Sequence, residues 1–346
     1  GLFEQFAAFR RLARQDHADL ALFDHRVGPD AQAGVHEQVL DLLQPHHLAV
    51  DAVAAAALAE DLATDAQDLP RVAGDVGRSL SPGGLAQALE RVATSLQGAD
   101  DDSLARLRQS AVIHTDETGW WVGGPGYTLW VFTNHETTDY RIVEHRDRAT
   151  AADILSDTFQ GVLVSDCLSI YDGLDGIQQK CYAHHLKALS QALKTEAGQG
   201  SSYSLELRTL LHTALLLKRL APDLAVAQRQ GSRDDLETRF TQLRAQPRPP
   251  DTPQGQQEEK IRQRLAKQQD HLLTFLDYPE VDATNNLAER QLRPAVISRK
   301  LSCGNKTQSG ATTWSVLASL AATCQQRGDS FIEQVAQAMV LQNRAA

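Results

Sequence analysis

The chain has 346 residues, of which 42% are hydrophobic and 23% are charged, so it is long enough for two or three domains with their own cores. Its formal net charge of −10 argues weakly against nucleic acid as a partner, and no apolar run is long enough to cross a membrane. The cysteines, Cys167, Cys181, Cys303 and Cys324, show no paired spacing. We therefore expect a reduced, cytoplasmic protein rather than a disulfide framework.

Residues 1–110 are expected to form a helical N-terminal region. Segments such as FEQFAAFRRLARQ and AVDAVAAAALAEDLA carry apolar residues at three- and four-residue spacing. Ser81 and Pro82 supply an N-cap and a first-turn proline for a helix over SPGGLAQALERVATSL. With the residues before it, this helix forms either a DNA-binding helix-turn-helix or a plain helical hairpin. The region has 17 acids, nine arginines and no lysine, which favours a dimerisation surface over a DNA-binding one.

The periodicity changes to that of β-strands near residue 111. AVIHTDETG, YTLWVFTN and TTDYRIVEH are rich in β-branched and aromatic residues and are separated by turn signals. A helix over TAADILSDTF follows, then the apolar run GVLVSD, which suits a central parallel strand, and a fifth strand around QQKCYA. This order predicts an α/β fold with an RNase H-like mixed sheet. In such a sheet the first and fourth strands are neighbours, so Asp116 and Asp166 at their ends would come together.

Helical periodicity returns over residues 197–280, in YSLELRTLLHTALLLKRLAPDL, RDDLETRFTQLRAQ and EEKIRQRLAKQQDHLLTFL. We expect a helical insertion before the last catalytic acid. The catalytic core, which begins over 111–196, would resume over 281–346. There, Glu289 lies on a short polar helix, DATNNLAERQLRP, and ATTWSVLASLAATCQQRG reads as a final amphipathic helix. CGNKTQSG lacks the residue order of a phosphate-binding loop and is interpreted as a plain turn.

Three acidic residues stand in settings that suit a phosphodiester-cutting site. Asp116 and Asp166 end strands, and Glu289 lies on the later helix. Nucleases and transposases hold two divalent ions about 4 Å apart against a phosphodiester, and hard carboxylate oxygens suit Mg²⁺. An aspartate at a strand end is more often a turn or cap residue, so each acid alone is weak support for such a site.

Six segments in chain order carry a resemblance to a known family: HTDETGWWVGG, LWVF, GVLVSDCLSIYDGL, CYAHHLKAL, NNLAERQLRP and SCGNKTQSGATTWSVLASLAATC. They are similar to the DDE transposases of the insertion sequence sixty-six family (transposon C protein type), over about residues 110 to 340. The resemblance implies an enzyme that cuts transposon ends and joins the freed 3′ ends to target DNA. It implies Mg²⁺ or Mn²⁺, two ions per site, bound by Asp116, Asp166 and Glu289 as the catalytic residues.

The resemblance also gives roles to residues near these acids. Cys181 and His184 form a C-x-x-H pair without a second pair at metal spacing, which disfavours zinc; in similar transposases such a pair supports the active-site end of the sheet. Asn285 is four residues before Glu289 and shares its helical face. Its amide either orients the carboxylate or contacts DNA, or it caps the helix that begins near Thr284.

A basic stretch follows Glu289 with no acid inside it, and its members are Arg290, Arg293, Arg299, Lys300 and Lys306. Beside an acidic metal site, such a stretch predicts contact with the DNA backbone, whereas an isolated charge run is usually a solvated loop. Trp120 and Trp121 either stack on an unpaired base or form part of the core.

The sequence therefore predicts a bacterial DDE transposase that associates with the nucleoid when bound to DNA. It would work as a homodimer or larger multimer, because two transposon ends must be cut and joined together. Two alternatives stay open. One is an inactive or domesticated derivative that acts as a DNA-binding or regulatory protein, although retention of the three acids argues against it. The other is an RNase H-like nuclease specific for structured nucleic acid.

Overall fold

The fold is given by a computed structural model, which describes residues 82–195, 202–247, 249 and 251–345. The helices predicted within residues 1–81, and the N-cap predicted at Ser81, lie outside this part of the chain. Within it, no helix combines the length and the apolar character needed to span a membrane.

The first elements follow the predicted order. Helix α1 spans Pro82–Arg108 and begins at the proline that the sequence indicates. The next elements are strands β1 (Val112–Trp120), β2 (Tyr127–Thr133) and β3 (Thr138–Val143), helix α2 (Arg148–Leu155), and strands β4 (Val162–Ser165) and β5 (Ile177–Lys180).

The remaining described elements are helical. They are α3 (Tyr182–Thr195), α4 (Ser202–Leu220), α5 (Val226–Arg244), α6 (Pro253–Gln268), α7 (Thr274–Asp277), α8 (Asn286–Ser302), α9 (Gln308–Arg327) and α10 (Phe331–Ala345). The single helix predicted over EEKIRQRLAKQQDHLLTFL is wrong, because α6 ends at Gln268. Beyond it the chain bonds to β5 and α3 instead: Leu272 accepts a hydrogen bond from the Tyr182 hydroxyl, and Thr274 donates one to Gln178 of β5.

Helix α8, which carries Glu289, is longer than predicted. It begins at Asn286 rather than near Thr284, and it continues through Pro294 to Ser302. A proline inside a helix removes one backbone hydrogen bond and crowds the preceding turn. Ala295 and Ser298, beyond the proline, are fully buried, and this packing offsets the local loss.

The five strands form one sheet in the order β3-β2-β1-β4-β5. β2 and β3 are antiparallel, whereas β4 is parallel to both β1 and β5. The predicted adjacency of the first and fourth strands is therefore confirmed. Every residue of β4 is buried, as its continuous apolar sequence indicates.

The chain divides into two compact units. Among the described residues, the first unit comprises 82–107, 117–145 and 289–345, and the second comprises 108–116 and the described part of 146–288. β1 and α8 each contribute residues to both. The core of the second unit includes Tyr182, Leu207, Phe240, Leu265 and Phe275. The division predicted at residues 110, 196 and 280 stays a prediction.

In the first unit, helix α9 covers the outer edge of β3. The backbone N–H of Tyr140 donates to the Ser319 hydroxyl at 2.8 Å, and that of Thr138 donates to the Thr323 hydroxyl at 3.1 Å. Thr323 also donates to the Thr138 carbonyl at 3.2 Å. The prediction of an amphipathic helix is wrong, since every residue from 313 to 324 is buried. The serine and threonine hydroxyls give α9 a half-polar sequence. They form hydrogen bonds with backbone groups of the edge strand β3 that would otherwise be unpaired.

Candidate active site

Asp116 lies inside β1 rather than at its predicted end, because the strand continues to Trp120, and Asp166 directly follows the neighbouring strand β4. β1 pairs in parallel with β4 through Val112↔Val162, and the same register continues to His114↔Val164. Asp116 and Asp166 each lie two residues beyond the last residue pair of this register, and β4 itself ends at Ser165. Neighbouring strands lie about 4.8 Å apart, and paired residues of parallel strands point to the same face. Both aspartates are half-buried. The strand order thus places two aspartates that are far apart in sequence on or directly after neighbouring strands.

The turn after β4 fixes the backbone around Asp166. The carboxylate of Asp166 accepts a hydrogen bond from the backbone N–H of Leu168 at 2.8 Å, which closes a tight local turn. The side-chain amide of Gln268, at the end of α6, donates to the carbonyl of Cys167 at 3.3 Å and to the carboxylate of Asp172 at 2.9 Å. Helix α6 therefore stabilises the loop that contains Asp166, and the sequence did not predict this contact.

A buried lysine supports the same loop. Lys180 is the last residue of β5, pairs in register with Ser165, and has a side chain with 0% exposure. Its ammonium group lies 3.1 Å from the Ser165 hydroxyl and 3.5 Å from the carboxylate of Asp172. Burial lowers the pKa of Lys180, and Asp172 opposes that shift. The carboxylate of Asp172 is therefore the counter-ion of a buried lysine.

The residue before α8 ties the start of that helix to the strand ends. Asn285 is fully buried, its side-chain amide donates to the carbonyl of Thr115 at 2.8 Å, and its backbone N–H donates to the sulfur of Cys181 at 3.2 Å. Its side-chain oxygen has no hydrogen-bond partner among the described residues, so this oxygen does not cap the helix. Asn285 thus fixes the backbone of the residue that precedes Asp116. Glu289 lies one turn later, in the first turn of α8, and is half-buried.

Cys181 directly precedes helix α3, and His184 and His185 lie in the first turn of that helix. Cys181 is fully buried and His184 is half-buried, whereas His185 is 3% exposed. Burial lowers the pKa of His185 to about 3, so this side chain is neutral at physiological pH and offers no positive charge to a phosphate. Cys167, directly after Asp166, stays a protonated thiol because burial raises its pKa to about 12.

Comparison with known proteins identifies the family of this chain. The model of the family described as Transposase IS66 family matches residues 66–313, which is more than half of the chain. The chain belongs to the IS66 transposase family. The resemblance seen in the sequence segments is thereby confirmed, and membership supports a transposase role that involves DNA.

A curated relative matches a smaller part of the chain. The match is 33% identical over 73 residues to the uncharacterized protein y4jO of Sinorhizobium fredii (strain NBRC 101917 / NGR234). It covers 21% of this chain and 23% of that protein, so the chain spans about a quarter of the length of this relative.

In this member of the IS66 transposase family, the basic stretch is helical rather than a loop over most of its length. Arg290, Arg293 and Lys300 are exposed and lie on one side of α8, whereas Arg299 is half-buried on the opposite side. Lys306 is exposed in the turn that follows. The structure therefore brings only three of these five cations to a common helical face.

The two tryptophans after β1 have different environments. Trp120 is 4% exposed, its indole N–H donates to the side-chain oxygen of Asn305 at 2.8 Å, and its ring centre lies 5.0 Å from that of Trp314. It is a core residue and cannot stack on a base. Trp121 is 46% exposed. The plain turn predicted over CGNKTQSG is wrong for its last three residues, because α9 begins at Gln308. Gly304, in the turn before α9, has φ +103° and lies against the Trp121 backbone, where a Cβ atom would lie only 2.3 Å from the Trp121 carbonyl oxygen.

Proposed function

We propose that this chain is a DDE transposase that cuts transposon ends and joins the freed 3′ ends to target DNA. The observation that carries the proposal is the parallel register of β1 and β4, from which we infer that Asp116 lies beside Asp166. Two adjacent carboxylates repel each other in the absence of a cation. Their hard oxygen donors suit Mg²⁺ or Mn²⁺, which the family implies in general terms.

Asp116 and Asp166 would hold the cations, and Glu289 would supply a third carboxylate. Two bound divalent ions would activate the attacking oxygen and stabilise the leaving oxygen of the phosphodiester. The chain's own residues contribute by positioning. Asn285 holds the backbone before Asp116, and the Leu168 N–H orients the Asp166 carboxylate. The site lies on an RNase H-like core interrupted by a helical insertion.

The reaction is two successive displacements at phosphorus. In the first, a water oxygen bonds to the phosphorus at the transposon end, and the bond from phosphorus to the 3′ oxygen breaks to leave a 3′-hydroxyl. In the second, that hydroxyl loses its proton and bonds to a target phosphorus, which releases a 3′-hydroxyl from the target strand. Such transfers need mainly positioning and neutralisation of charge, which a rigid pair of carboxylates provides.

DNA would also be held by the exposed face of α8 that carries Arg290, Arg293 and Lys300, with Lys306 in the following turn. Arg299 is half-buried and would contribute less to this contact. Two transposon ends must meet in one complex, so the active form would be a homodimer or a larger multimer. Residues 1–110, which are acidic, would supply the surface between copies.

Strand cleavage by purified variants tests the proposal. Asp116→Asn, Asp166→Asn and Glu289→Gln should each abolish Mg²⁺- or Mn²⁺-dependent cleavage and leave DNA affinity close to that of the wild type. Asp175→Asn is the matched control, because Asp175 is exposed in the loop after Asp166. Normal cleavage by any of the three variants would remove that residue from the site.

The DNA products of the reaction distinguish a transposase from a structure-specific nuclease. A transposase yields joined products in which the freed 3′ end is covalently attached to target DNA, whereas a nuclease yields cut ends alone. A wild-type protein that binds DNA and gives neither product with Mn²⁺ would instead support a regulatory derivative of the family.

A further inference from the structure

A groove lies between α3 and α6 within the second unit, and we call it the α3–α6 groove. Its volume is about 270 Å³. Ala188 and Gln191 line it from α3, and Gln257, Lys260 and Arg264 line it from α6. Lys260 is exposed and Arg264 is half-buried. The two glutamines and two cations can all donate hydrogen bonds to phosphate oxygens.

Carboxylates are absent from the described lining of the α3–α6 groove. Helix α3 carries no acidic residue. Of the two acids on α6, Glu258 is buried in an ion pair with Arg262 at 2.5 Å, and Glu259 accepts a hydrogen bond from Gln263. The whole chain has 44 acids against 34 lysines and arginines, so this lining reverses its overall charge balance. Charge complementarity therefore favours an anionic ligand.

One end of the groove lies at the edge of the sheet that carries the aspartates. Helix α3 starts there, and His184 in its first turn shares the helical face that lines the groove. Helix α6 ends there, because the side-chain amide of Gln268 donates to the carbonyl of Cys167, the residue after Asp166. Arg264 lies one turn before Gln268, about 6 Å along the helix axis, and Lys260 lies a further turn away. The two cations thus form a row that leads away from the site.

We propose that the α3–α6 groove binds the sugar-phosphate backbone of DNA and leads one strand to the Asp116–Asp166 edge. Lys260 and Arg264 would each contact a phosphate, and Gln191 and Gln257 would donate amide hydrogens to backbone oxygens. The identity of the anion rests on the proposed function, but binding in the groove does not require cleavage.

The test measures DNA affinity over a series of salt concentrations without divalent ions, so that no cleavage occurs. The probe is a fluorescein-labelled duplex of arbitrary sequence, and the readout is fluorescence anisotropy with full-length protein. The double variant Lys260→Ala with Arg264→Ala is compared with Arg208→Ala with Arg219→Ala, which removes two exposed cations of α4. The single variants Lys260→Ala and Lys260→Glu, at an exposed position, are compared as variants without a packing defect.

Each phosphate contact contributes about 0.9 to the slope of log affinity against log salt, so the groove double variant should flatten that slope by about two units. Lys260→Glu should weaken binding further than Lys260→Ala, and the α4 variant should match the wild type. An unchanged slope in the groove variant, an equal change in the α4 variant, or a wild type that does not bind the duplex would each overturn the inference. A wild type that binds through the groove but cuts no DNA would reject the transposase proposal alone.

Discussion

Single residues in the second unit determine how rigidly Asp166 is presented. Lys180 is fully buried between Ser165, which precedes Asp166, and Asp172, which follows it in the same loop. Neither partner was evident from the sequence, because the ion pair joins residues whose proximity depends on the parallel pairing of β4 with β5. By contrast, the adjacency of β1, which carries Asp116, and β4, which precedes Asp166, was predictable from the order of the strands.

Lys180→Met should lower the free energy of unfolding by about 3 kcal/mol, because removal of one partner leaves the carboxylate of Asp172 without its buried counter-ion. The double variant Lys180→Met with Asp172→Asn should recover a large part of this loss, since the asparagine oxygen can still accept the hydrogen bond from Gln268. Urea denaturation measures both. A double variant as unstable as the sum of the two single variants would show that the pair is not coupled.

Asp100 makes the stability of the first unit depend on pH. It is 1% exposed and lies 2.9 Å from Arg141, which it shares with Asp139. Burial raises the pKa of Asp100 from 3.8 to about 7, against the opposing charge of Arg141. Between these values the folded chain keeps a proton that the unfolded chain has lost. The contribution of Asp100 to the free energy of unfolding is therefore fully present below the pKa that this residue has in the unfolded chain, and it is lost as pH rises toward 7.

Asp100→Asn should remove this contribution, which has a slope of at most about 1.4 kcal/mol per pH unit. Denaturant titrations from about pH 4 to about pH 7 should show a smaller decline in stability for this variant than for the wild type. Asp101→Asn, at the exposed neighbouring position, serves as the control and should keep the wild-type decline. An identical decline in Asp100→Asn and the wild type would assign the pH dependence to other groups.

At the scale of elements, the strands were predictable because β-branched and aromatic composition and turn signals mark them locally. The extent of helices α8 and α9 was harder to predict, since it depends on which residues pack against them. α8 continues through Pro294 because the residues beyond it are buried. α9 carries serines and threonines that look solvent-facing in sequence, yet Ser319 and Thr323 satisfy the backbone edge of β3.

Thr323→Val should lower the free energy of unfolding by about 2 kcal/mol, because a methyl group of similar size replaces a hydroxyl that bonds both the N–H and the carbonyl of Thr138. Thr312→Val makes the same chemical change at an exposed position of α9 and should stay within about 0.5 kcal/mol of the wild type. Equal effects of the two substitutions in thermal or urea unfolding would contradict the role of α9 as the cover of the β3 edge.

At the scale of the whole molecule, the family and the sheet order could be predicted from the sequence. Six segments in chain order indicate the family, and the order of the strand-like segments indicates the sheet. The helices over residues 202–268 were also predicted, but their contacts with the rest of the second unit were not. The contact of α6 with the loop after Asp166 and the basic lining of the α3–α6 groove depend on packing between distant segments. Overall net charge gave no indication of this groove, since an acidic average conceals a local basic surface.

The central claim is that Asp116 and Asp166 together hold a divalent cation. Mn²⁺ binding, measured by electron paramagnetic resonance titration of the purified protein, tests it most directly, without DNA or catalysis. Asp116→Asn and Asp166→Asn should each weaken Mn²⁺ binding by at least about tenfold, or 1.4 kcal/mol, because each removes a ligand from the same ion. The control Asp175→Asn should bind Mn²⁺ like the wild type. Wild-type Mn²⁺ affinity in both aspartate variants would contradict the account.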